Sequence, residues 1–200
     1  MNPRTTAIIL IGYQNDYFNE GGILHGALED SKQVNRVLDS TMNLLHKLCK
    51  SEVLILDTPI IFAENYPELV DPIGILKIIK DNGAFLAGSQ GSQTIDEITA
   101  MGDRVITLPG KRGLNCFSNT DVHKVLQEKK IEDVIIAGAV TSLCIDTGGR
   151  QAADLGYRVH ILKDCTVSRT KFEHDFYAKE IIPMYAKVWN SSDICQQLEA

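Results

Sequence analysis

The segment Val134-Ile135-Ile136-Ala137-Gly138-Ala139-Val140-Thr141-Ser142-Leu143-Cys144-Ile145-Asp146-Thr147 limits the fold more than any other. Its opening run is apolar without interruption. A strand with one face in water alternates polar and apolar, so this one reads as buried on both faces. Gly138 breaks the run. Thr141 and Ser142 then offer N-cap oxygens, and a helical pattern continues through Ala152, Ala153 and Leu155 to Gly156. The order strand, tight turn, helix puts Cys144 in the first helical turn, beyond the carboxyl end of the strand. The leading N–H groups of a helix lack intrahelical partners and its dipole is positive there, which favours the nucleophilic thiolate. The same N–H groups can hold the oxyanion of an attacked carbonyl. A buried cysteine packing as a small hydrophobe is the plain alternative.

The rest of the chain repeats this alternation. Ala7–Ile11 is an unbroken apolar strand, left by the loop Gly12-Tyr13-Gln14-Asn15-Asp16-Tyr17-Phe18. Val34, Leu38, Thr41, Leu45 and Leu48 mark one face of a long amphipathic helix. Val53–Leu56 and Val105–Leu108 read as further strands, and Tyr157–Leu162 and Tyr185–Val188 complete the set. Helical patterns lie around Ile73–Ile79, Thr94–Met101, a stretch capped by Thr120, and Phe172–Ile182. The irregular span from Ile60 to Gln93 is too long for a plain connector and reads as cover for one end of the sheet or as a pocket wall. Strands alternating with helices predict an α/β fold, a doubly wound and mostly parallel sheet with helices on both faces. No repeat, low-complexity tract or linker interrupts the chain, so residues 1–200 read as a single domain. In such sheets sites gather outside the carboxyl ends of the strands, where the loops after Ile11, Leu56, Leu108 and Gly138 converge.

Composition narrows the partners. A net charge of −6 with no basic tract argues against nucleic acid and anionic membrane surfaces. The apolar run after Met1 is too short for a signal peptide, and no run is long enough to span a bilayer. The five cysteines, Cys49, Cys116, Cys144, Cys165 and Cys195, form no CxxC pair. They read as reduced thiols of a cytoplasmic protein, with no zinc cluster and no metal or other cofactor expected.

Several motifs together resemble the isochorismatase-like cysteine hydrolases, over the span from Ala7 to about Val167. Gln14-Asn15-Asp16-Tyr17-Phe18 after the first strand is similar to that family's Q-N-D-F loop. Gly88-Ser89-Gln90-Gly91 resembles its G-[ST]-x-G loop, and Lys111, placed before Phe117, resembles its lysine motif. The segment Gly138–Cys144 resembles its nucleophile motif, with Ala152–Tyr157 as the usual continuation. The resemblance implies a Rossmann-like three-layer fold and hydrolysis of an amide-type C–N bond in a small molecule. It implies a Cys, Lys and Asp triad acting through a thioester, with Cys144 as nucleophile and Lys111 as its cationic partner. It further implies a cis peptide at Val140–Thr141, with Val140, Thr141 and Cys144 forming the oxyanion hole, and a homo-oligomer, dimer or tetramer. The metal-binding Asp-x-His of nicotinamidase-type members has no counterpart at Asp57-Thr58-Pro59.

The chain departs from the pattern at one position. The family's catalytic Asp is replaced by Gly12, which has no side chain to act as a base. Three readings stay open. Asp57 or Asp16 substitutes as the base, although Asp16 belongs to the Q-N-D loop and Asp57 precedes a turn-forming Thr58-Pro59. Alternatively Lys111, buried beside the cation Arg112, accepts the thiol proton itself. In the third, hydrolysis is lost, and the chain is a small-molecule-binding pseudoenzyme or a redox sensor built on Cys144. Gly12, Phe18 and Phe117, with Arg112 holding a carboxylate, are the expected substrate pocket.

Overall fold

The computed structural model describes residues 1–27 and 31–199. In chain order its main elements are β1 (Thr6–Ile11), α1 (Asn15–Phe18), α2 (Ser31–Leu48), β2 (Leu54–Thr58), α3 (Gly74–Asn82), α4 (Asp96–Thr99), β3 (Ile106–Thr107), α5 (Val122–Glu128), β4 (Asp133–Ala139), α6 (Asp146–Asp154), β5 (Arg158–Val167), α7 (Lys171–Phe176), β6 (Lys187–Trp189) and α8 (Ser191–Glu199). The strands form one sheet of six in the order β3-β2-β1-β4-β5-β6, and every pair is parallel. The chain winds outward from β1 through β2 to β3, returns to β4 beside β1, and winds outward the other way. That is the expected doubly wound fold, and it puts the switch point between β1 and β4.

Both faces of the central strands are covered, which is why they read as unbroken apolar runs. Ile8 and Leu10 of β1 and Ile135 and Ala137 of β4 pack into one core with Val34, Val37, Leu44, Leu45 and Leu48 of α2. Ala7, Ile9 and Ile11, with Val134 and Ile136, pack into the opposite core with Val122 and Leu126 of α5 and Ala152 of α6. The polar Thr41 in the buried face of α2 is satisfied locally. Its hydroxyl lies 2.8 Å from Val37 O and 2.7 Å from the Tyr13 hydroxyl, which in turn lies 3.0 Å from Cys165 O.

The element limits differ from the sequence expectations where polar residues are buried. β2 runs on through Asp57 and Thr58, and β5 continues past Leu162 to Val167, with an irregular register beside Gly138. α8 has no counterpart in the sequence reading. The expected helix Phe172–Ile182 is α7 followed by a π turn at Tyr177–Ile181. No described helix is long and apolar enough to cross a membrane.

One side chain ties the α2–β2 turn to the approach to β3. Arg104, half-buried, donates from Nε to Cys49 O at 3.0 Å and from Nη2 to Leu48 O, Ser51 O and Val53 O at 3.1, 3.3 and 3.0 Å. It thereby gathers the carbonyls of the turn that follows α2 into one guanidinium fork. Charge-assisted bonds of this kind contribute about 1.5–3 kcal/mol. Arg104→Ala is therefore expected to lower unfolding stability by about 2 kcal/mol in urea titration, and Arg104→Lys to recover less than half of that, because an ammonium lacks the planar fork.

Candidate active site

The site lies at the carboxyl ends of β1 and β4, on the switch point. Gly138 has φ +129°, and a Cβ there would sit 1.9 Å from Ile11 O. Only glycine lets the two strand ends come this close. The cis peptide lies at Ala139–Val140, one bond earlier than the resemblance implied. The chain then enters a π turn at Thr141–Ile145, in which Ile145 N–H donates to Val140 O at 3.2 Å, and α6 follows directly. Thr141 and Ser142 are not N-caps. Val140 precedes the turn without a side-chain cap, and both hydroxyls point instead to α7. Thr141 Oγ1 lies 3.3 Å from His174 Nδ1, and Ser142 Oγ donates to the Glu173 carboxylate. Burial lowers the His174 pKa from its ordinary value, which favours the neutral ring in this contact. Glu173 and His174 thus fix the turn that carries Cys144 from an element some thirty residues downstream.

Cys144 is buried in that turn at 7% exposure, and Lys111 is buried at 1%. Lys111 Nζ lies 3.5 Å from Cys144 Sγ. The loop carrying Lys111 runs alongside the segment after β2, bridging Ile60 and accepting at its carbonyl from Ile61 N–H at 3.4 Å. Among the described residues no carboxylate forms an ion pair with this amine, and no group of His, Cys, Asp or Glu is arranged to hold a metal ion. A small, narrow cavity opens onto both groups. Gly12, Tyr17 and Ala139 form one side of it, Leu143 and Leu114 another, and Ile60 with Ile75, Leu76 and Ile79 of α3 close it. The long irregular span does wall a pocket, as its length suggests, and α3 is the part that does so.

The other expected site residues are dispersed. Gly12 is in the wall with φ +74°, where a Cβ would meet Ala139 O at 3.1 Å and the Tyr17 ring at 3.6 Å. Phe18 is not in the pocket: it is core, stacked on Tyr13 at 4.7 Å between ring centroids. Its neighbour Tyr17 takes the wall position, because successive residues of the short α1 point about 100° apart. Burial and the nearby Cys144 hold the Tyr17 phenol well above its usual pKa, so it stays a neutral donor. Phe117 packs half-buried against the second core, and Arg112 is exposed at the surface, so neither lines the cavity.

Neither candidate carboxylate lines the cavity. Asp16 ties loops together: Oδ2 accepts from Phe85 N–H at 2.7 Å and Oδ1 from Ile23 N–H at 3.3 Å. Asp57 is fully buried, with Oδ2 accepting from Thr94 Oγ1 at 2.7 Å and Oδ1 without a hydrogen-bond partner. Gln14 is the residue the sequence reading undervalued. Its amide donates to Ile60 O at 2.9 Å and Ser92 O at 2.7 Å and accepts from Ile60 N–H at 2.9 Å, and so sets the pocket wall at Ile60. Cys116 is buried behind α6, and burial pushes its thiol up to about 12 despite the nearby Lys111.

Burial also raises Asp57, to about 6, with the bond from Thr94 opposing it. The folded state therefore holds this proton more tightly than the unfolded chain, whose value is 3.8. Its contribution is fully present below about pH 4 and is lost as pH rises through about 6. Two pKa units amount to about 3 kcal/mol. The stability of wild type relative to Asp57→Asn should fall by about that amount between pH 3.5 and pH 7.5, as read by urea unfolding at each pH.

Residues 6–193 match the family model of the isochorismatase domain. The chain is 27% identical over 177 residues to the ureidoacrylate amidohydrolase RutB of Klebsiella pneumoniae, covering 82% of this chain and 74% of that protein. A cysteine hydrolase from Pseudomonas syringae superposes with a TM-score of 0.86 at 18% identity, covering 100% of this chain and 94% of the other. Nicotinamidase PncA from Bacillus subtilis gives 0.74 at 19% identity, covering 95% and 100%. These structural likenesses bear on the fold, and the domain match over nearly the whole chain decides the family: the protein belongs to the isochorismatase domain family.

Proposed function

We propose that the protein is a cysteine hydrolase that breaks the C–N bond of a small molecule through an acyl-thioester on Cys144, with Lys111 moving the protons. The observation that carries this is the 3.5 Å contact between Lys111 Nζ and Cys144 Sγ, both facing the same enclosed cavity. Relatives named as a ureidoacrylate amidohydrolase and a nicotinamidase support the reaction class. With Gly12 at the position of the family's acid, the pair has to work without a third member.

A cycle with two groups closes in atoms and charge. The thiolate of Cys144 attacks the carbonyl carbon, and the pair's ammonium, Lys111, stays beside it. When the C–N bond breaks, Lys111 gives its proton to the departing nitrogen and becomes a neutral amine. Lys111 then takes a proton from water, and the hydroxide attacks the thioester. The C–S bond breaks, the acid leaves, and the thiolate and ammonium are restored. General acid–base catalysis of this kind contributes about 10²–10⁴-fold.

Cys144→Ser should abolish the acyl adduct seen by intact mass after mixing with p-nitrophenyl acetate. Lys111→Met, which keeps the buried volume, should lower steady-state turnover by about 100-fold or more with an unchanged fold by circular dichroism. Turnover equal to wild type in Lys111→Met would remove the lysine from the mechanism. The absent carboxylate favours a second reading, a binding protein without turnover. In that case neither ester nor amide would acylate Cys144, while thermal stabilisation by ligands would survive Cys144→Ser.

A further inference from the structure

The walls of the Cys144 cavity say what it can hold. Six aliphatic side chains form most of its lining: Ile60, Ile75, Leu76, Ile79, Leu114 and Leu143. Lys111 is the one charged group, and it is already engaged with Cys144 Sγ at 3.5 Å. At Gly12 the wall is bare backbone beside Ala139 and Tyr17, where the family's pattern would add a carboxylate. The space between these walls is narrow, so only a slender chain fits beside Cys144 without displacing them. A ureido, carboxylate or ring-amide group seated against α3 would lose water and gain no partner there.

Resting on the hydrolase reading above, we infer that the cavity selects a short, uncharged aliphatic acyl group, and that Leu76 on α3 sets its length. The acyl carbonyl sits at Cys144 and Lys111, and the alkyl chain runs outward along α3. The substrates are small aliphatic amides, in contrast to the polar ureido acid in the name of the amidohydrolase relative.

The test measures the rate of Cys144 acylation by intact mass, using p-nitrophenyl esters of acetate, butyrate, hexanoate and monosuccinate. The thiolate forms a C–S bond to the acyl carbon, and p-nitrophenolate leaves with the electrons of the broken C–O bond. Each added methylene that meets the wall should gain about fourfold, so butyrate should outpace acetate by tenfold or more. Succinate, with butyrate's chain length and a terminal charge, should be at least tenfold slower than butyrate. In Leu76→Ala the preferred ester should move from butyrate to hexanoate. Succinate matching or exceeding butyrate in the wild-type protein would overturn the inference while leaving the hydrolase reading intact. No acyl adduct at Cys144 with any ester would overturn that reading, and the inference with it.

Discussion

The approach of two strand ends underlies everything else in the molecule. β1 and β4 lie side by side, and at their carboxyl ends Gly138 meets the carbonyl of Ile11 so closely that no side chain fits between them. Because the sheet winds away from this line in both directions, no crossover helix covers it, and a crevice is left. The chain leaves β1 through Gly12 and β4 through the turn bearing Cys144. Both exits have glycine at positive φ, so the backbone turns sharply at the point where the crevice opens. Lys111 reaches it from the loop after β3, held alongside the loop after β2.

The electrostatics of the site follow from what is missing. A buried ammonium is costly unless something of opposite charge or a good acceptor lies against it. Among the described residues the acids nearest in sequence logic are spent elsewhere, Asp16 on loop N–H groups and Asp57 on Thr94. The sulfur of Cys144 is then the atom best placed to accept from the amine. Cys116 is also buried near the lysine, and there burial outweighs the nearby charge and holds it as a thiol.

What was legible in the sequence divides along physical lines. β1 and β4 were plain because burial on both faces leaves no polar alternation, and the turn after β4 placed Cys144 because glycine is required there. The pairing of Lys111 with Cys144 came from resemblance alone, since no local pattern links residues 33 apart. Which side chains of the long span form the pocket wall was hidden. Ile75, Leu76 and Ile79 look like the buried face of any short helix, and nothing in their spacing says that the space beside them is empty. The choice between Tyr17 and Phe18 was equally hidden, because α1 is a single turn and its rotation depends on Gln14 fixing the loop before it. Thr141 and Ser142 misled because a hydroxyl before a helix usually caps it, and here Glu173 and His174 offer partners that only the tertiary fold brings near.

That last contact bears on how firmly Cys144 is held. A π turn is a less regular support than an α-helix and occurs mostly in short pieces at functional sites. The turn at Thr141–Ile145 leans on α7 through two side-chain bonds, and on the sheet through Val140 O, which accepts from both Leu143 and Ile145 N–H. α7 itself starts at Thr170, whose hydroxyl accepts from Glu173 N–H at 3.1 Å. The residue that caps α7 therefore also fixes the backbone of Glu173, the side chain that grips Ser142. Position at Cys144 is set by a chain of hydrogen bonds from Thr170 through Glu173 to the turn, while Lys111 contacts the sulfur from the other side of the crevice. The two inputs come from separate elements, so changes in α7 should act on the placement of the sulfur and changes at Lys111 on the group that contacts it.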